Sequence, residues 1–126
     1  MAPAYSAIHE AQRIFDVLCD QGDRLGLPDA IRSIRDSFSI ESDYDRVYFP
    51  VPFKETQTVA ALKAVEGAVA SSLLEIKYGR AIGTVKVDLE RATRFACQAY
   101  IATVDGLGKL DKGVRAKLKG ELNEYG

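Results

Sequence analysis

Thr58–Gly79, TVAALKAVEGAVASSLLEIKYG, is the stretch whose reading decides the fold. On a helical wheel at about 100° per residue, Val59, Leu62, Val65, Val69, Leu73 and Ile76 fall together as a stripe of large apolar side chains. Ala60, Ala64, Gly67, Ala68 and Ser71 fall roughly opposite, as a stripe with almost no bulk. Lys63, Glu66 and Lys77 share the narrow strip between them. A surface helix has one apolar stripe and one broad polar face. This segment has two broad apolar faces and a thin wet edge, so it reads as the central helix of the domain. The small face would let a neighbouring backbone approach, and the large face would fill a core. Gly79 stands where a left-handed C′ residue is wanted, and Lys77 suits the negative end of the helix dipole.

Working outward, the N-terminal side carries two further helices. Ser6 can cap the first, with Glu10 near the capping-box position. Ile8, Ala11, Ile14, Phe15, Val17 and Leu18 keep helical spacing until Gly22. Pro28 suits the first position of a shorter helix, whose face would be Ile31, Ile34 and Phe38. Residues 39–53, SIESDYDRVYFPVPF, then break the period and read as loop or extended chain. Val47, Tyr48, Phe49, Val51 and Phe53 make this segment unusually apolar. Such a loop lies across a core or a partner surface rather than in solvent, and Tyr48, Phe49 and Phe53 are its candidate anchors.

On the C-terminal side, Arg80–Gly83 turns the chain and Thr84–Val87 alternates as a short strand. Asp88 is a good N-cap. Leu89, Ala92, Phe95, Ala96, Ala99, Tyr100 and Thr103 mark one face of a second long helix closing near Val104. Asp105-Gly106-Leu107-Gly108 is turn chemistry. Lys109–Gly126 alternates lysines with acids around Leu110, Val114, Leu118 and Leu122 and reads as a mostly exposed helix. The predicted fold is a single α-rich α/β domain over residues 1–126, with about five helices and one or two short strands.

The 126 residues are enough for one core. The 17 basic and 18 acidic side chains give a net charge of −1, which argues against binding nucleic acid. No run approaches the ~20 apolar residues of a membrane span, and MAPAYSAIHEAQR lacks the apolar core of a signal peptide. An intracellular, cytoplasmic protein is expected. Cys19 and Cys97 are far apart, and with His9 the only histidine they cannot build a four-ligand zinc site. Both sit in apolar helical patterns and read as core residues of a reduced protein. No nucleophile elbow is present, and DGLGK at Asp105–Lys109 lacks the ending of a phosphate loop. Asp88 and Asp105 bracket a helix, which capping explains. The residues therefore name no catalytic group, no metal ligand and no cofactor-binding group.

ETQTVAALKAVEGAVASSLLEIKYG at 55–79 and TVKVDLERATRFACQAYIATVDG at 84–106 resemble the N-terminal region of fungal family III CoA-transferases. These form the CaiB/BaiF group, which also holds acyl-CoA racemases and carnitine dehydratase-like proteins. VPFKET before the helix and DGLGKLDKGVRAKLKG after it extend the likeness from about Arg46 to Gly120. The resemblance implies a fragment of that fold, coenzyme A as the family's substrate, and transfer of CoA between carboxylic acids. It also implies an enzyme several times longer, usually an interlocked dimer, whose aspartate nucleophile lies in a later segment. On this reading the chain is truncated and inactive alone, and binds an acyl-CoA only by family likeness. ELNEYG at 121–126 does not continue the pattern and reads as unrelated tail. The rival reading is a non-catalytic helical interaction module anchored by Tyr48, Phe49 and Phe53. A helix apolar on both faces leads either reading to self-association or to a missing remainder of the enzyme.

Overall fold

The computed structural model describes residues 5–49, 51–80, 83–108 and 110–116, with the side chains at 99, 100 and 104 left out. The chain forms two compact units, Met1–Thr93 and Arg94–Gly126, taken here one at a time.

The first unit is built on α1 (Ala7–Asp20), α4 (Glu55–Tyr78) and a pair of parallel strands, β1 (Phe38–Glu41) and β2 (Val85–Asp88). Between α1 and β1 lie two short helices, α2 (Gly22–Leu25) and α3 (Ala30–Ile34), and a 3-10 turn at Arg35–Ser37. The strands pair in register, Phe38 with Val85 through Glu41 with Asp88, and α4 is the crossover that joins them. Parallel neighbours need such a connection, because a tight turn cannot bring the chain back to the same end.

Ala7, Ala11, Phe15 and Cys19 recur every four residues on α1 and are all buried. They face Ala60, Ala61, Ala64 and Ala68 of α4, whose lack of bulk lets the two helices approach. This is the most extensive contact between elements of the unit. Phe38 and Ile40 enter the same core from β1, and Phe38 sets its ring 5.9 Å from that of Phe15. The sheet's other face is polar, with Lys86 and Glu41 paired at 2.9 Å. The Ile40 N–H donates to Gln12 Oε1 at 3.0 Å, so α1 occupies the free edge of β1.

Capping fixes the helix ends. Ser6 Oγ accepts the His9 N–H at 3.0 Å, as its position implied. A second cap comes from far along the chain: Asp45 Oδ1 accepts the Ile8 N–H at 2.9 Å. Glu10 does not complete a capping box; it turns instead to Arg13 at 2.7 Å and to Lys54 at the start of α4. Gly79 closes α4 with φ +63 and donates its N–H to Glu75 at 2.8 Å, the left-handed end its sequence called for. Asp88 Oδ1 accepts the Arg91 N–H at 2.6 Å and starts α5 (Leu89–Ala96).

Three sequence assignments change. The largest concerns α4: its small stripe is the fully buried core face, and the stripe of large residues is divided, with Val59, Val65 and Val69 half-buried against the core and Leu62, Leu73 and Ile76 exposed. The bulk of the core comes from Phe15, Ile31, Phe38 and Leu89, and such side chains need small residues opposite them to reach interior packing density. Phe38 is the first residue of β1 rather than part of a helix face, and α3 starts at Ala30, two residues past Pro28. The long second helix is two pieces, α5 and α6 (Gln98–Ile101), broken at Cys97.

In the second unit, α6 leads to a hairpin of β3 (Thr103–Val104) and β4 (Leu107–Gly108). Asp105 at φ 52 and Gly106 at φ +75 make the two-residue turn, the left-handed pair that matches the twist of flanking antiparallel strands. Residues 112–116 are helical, and Val114 is buried. The chain is thus an α-rich α/β protein, with helices α1–α6, the helical residues 112–116 and four short strands among the described residues. The expected turn at Arg80–Gly83 lies in part outside the described residues. The same holds for Ala99 and Tyr100 on the helix face, and Leu118, Leu122 and the 121–126 tail lie wholly outside them.

Candidate functional site

α4 is 24 residues long, about 36 Å at 1.5 Å per residue, whereas each strand it crosses has four residues and spans about 13 Å. The helix therefore overshoots the sheet. Every residue from Leu73 to Gly79 is exposed. Of the large stripe, Leu62 is 48% exposed, Leu73 60% and Ile76 76%, while Val59, Val65 and Val69 are half-buried and pack against the core. Leu74 and Tyr78 are also exposed at the free end. Glu66 sits beside this stripe, paired with Lys63 at 2.7 Å, and Lys77 lies over the Tyr78 ring at 5.1 Å.

The apolar loop divides its three candidate anchors. Tyr48 is half-buried against the core, and its hydroxyl lies 2.8 Å from Ser42 Oγ and donates to the Tyr44 carbonyl at 3.0 Å. Arg46 stacks over both tyrosines, 5.5 Å from the Tyr44 ring and 4.8 Å from that of Tyr48. Phe49 is half-buried, and its N–H donates to Thr56 Oγ1 at 3.1 Å, tying the loop to the first turn of α4. Phe53 is 71% exposed. Two of the three thus hold the loop in place, and only Phe53 presents its ring to the outside.

Among the described residues, no group of three or more His, Cys, Asp and Glu side chains is placed to hold a metal ion. Cys19 has no exposed surface, and burial first, then Asp16, pushes its thiol up to about 11. That is a packing cysteine, as its place in the pattern implied. Cys97 is half-buried at the break between α5 and α6. Asp88 is committed to its helix cap, and Asp105 to the hairpin turn. The most displaced carboxyl is Glu10, held down to about 2 by its hydrogen bonds to Arg13 and Lys54. It fastens α1 to the start of α4, a structural task. Asp45 is lowered as well, by the Ser6 hydroxyl and then by the Ile8 N–H that it caps.

The large stripe of α4, assigned to the core, meets it only in part: Val59, Val65 and Val69 pack against it, and Leu62, Leu73 and Ile76 do not. Its signal was present all the same, as two apolar faces on one helix. Among the described residues, no helix is long and apolar enough to cross a membrane. Comparisons with protein-family models, with curated proteins and with solved structures find no match.

Proposed function

We propose that the chain is a non-catalytic helical module that acts by packing, through the outer face of α4. One observation carries this reading: α4 turns its alanines inward and its large apolar side chains, Leu62, Leu73 and Ile76, outward. Single exposed leucines are ordinary, but a row of them along one helix marks an interaction surface. The aspartates that a covalent mechanism would recruit are already used, Asp88 as a cap and Asp105 in a turn.

The resemblance to family III CoA-transferases supplies a second reading, and the sheet favours it. Parallel sheets are normally larger and covered on both faces, whereas β1 and β2 stand as a pair with one polar face. A fragment of a larger α/β enzyme would have this form. In that reading coenzyme A and the acyl substrate belong to the whole enzyme, and the outer face of α4 is where its remainder packs.

Two measurements on the dilute purified protein test the proposal. An environment-sensitive dye such as anilinonaphthalene sulfonate should bind the native protein, and Leu73→Gln with Ile76→Gln should remove most of the signal while leaving the melting temperature unchanged. No turnover is expected between acyl-CoA donors and free carboxylic acids. Native protein that binds no dye, or CoA transfer that disappears with Asp88→Ala or Asp105→Ala, would overturn the reading.

A further inference from the structure

We draw no further inference here: the strongest candidate, the exposed apolar patch of Leu73, Leu74, Ile76 and Tyr78 at the free end of α4, is an unpartnered helix face, and nothing in the structure shows what covers it.

Discussion

The ring of Phe38 occupies the space that a side chain on Gly67 would need: a Cβ there would lie 3.0 Å from Phe38 Cε1. Phe38 is buried and packs against Phe15, so it has little room to yield. In an open helix, Gly→Ala gains about 1 kcal/mol. Here overpacking, which typically costs ~1–3 kcal/mol, should win. Gly67→Ala is expected to lower stability by about 1 kcal/mol in urea denaturation, and a gain in midpoint would show that Phe38 can move aside.

The two faces of α4 should respond in opposite ways. Ala64→Leu or Ala68→Leu adds volume where α1 and the strands already fill the space and should cost ~1–3 kcal/mol. Lys63→Leu at the edge, or Ile76→Gln on the outer stripe, should stay within about 0.5 kcal/mol. Comparable denaturation midpoints for all four variants would show that the small face is not packed.

Two aspartates should matter for stability rather than chemistry. Asp88→Ala uncovers the first-turn amides of α5, and Asp45→Ala releases the Ile8 N–H of α1. Each should cost about 1 kcal/mol. Asp45→Ala should also loosen the 42–49 loop, read as faster amide exchange there. Unchanged stability in either variant would remove that cap from the description.

Acid should release the tie between α1 and α4. Glu10 is held near 2 in the folded protein against an ordinary 4.5, by Arg13 and then Lys54. A depressed carboxyl pKa adds stability that is complete above the unfolded value and lost as pH falls through the folded one. Stability should therefore drop between about pH 4.5 and pH 2, and Glu10→Gln should flatten that slope while lowering stability at neutral pH. An unaltered slope in the variant would mean that Asp23 and Asp45, also lowered by their partners, carry the effect.

How far the sequence could be read depended on the range of the signals. α4, its glycine stop, the strand near Val85–Val87 and the caps at Ser6 and Asp88 were all legible, because each is set by neighbours within a turn. The orientation of α4 was not. A wheel shows two apolar stripes but not which one meets Phe15 and Phe38, and large residues are the usual core. β1 has four residues, and its partner strand begins 47 positions later at Val85, so no local period reveals it. The Asp105-Gly106 turn was read as a turn but not as a hairpin, since two-residue strands are too short to alternate. Nothing in the residues around Cys97 explains the break between α5 and α6. For the candidate surface, Tyr48, Phe49 and Phe53 read alike as anchors; that Phe53 is exposed while Tyr48 and Phe49 hold the loop depends on hydrogen bonds that sequence spacing does not show.

All of this turns on which face of α4 is inside, and thiol labelling measures that directly. In a Cys97→Ser background, with Cys19 buried, Ala68→Cys and Ile76→Cys are each exposed to a thiol reagent under native conditions. Ile76→Cys should react at the rate of a free thiol. Ala68→Cys should react on the order of 100-fold more slowly or less, since its labelling waits for the core to open. Equal rates, or faster labelling at position 68 than at position 76, would contradict the buried small face, the exposed Ile76 and everything built on them.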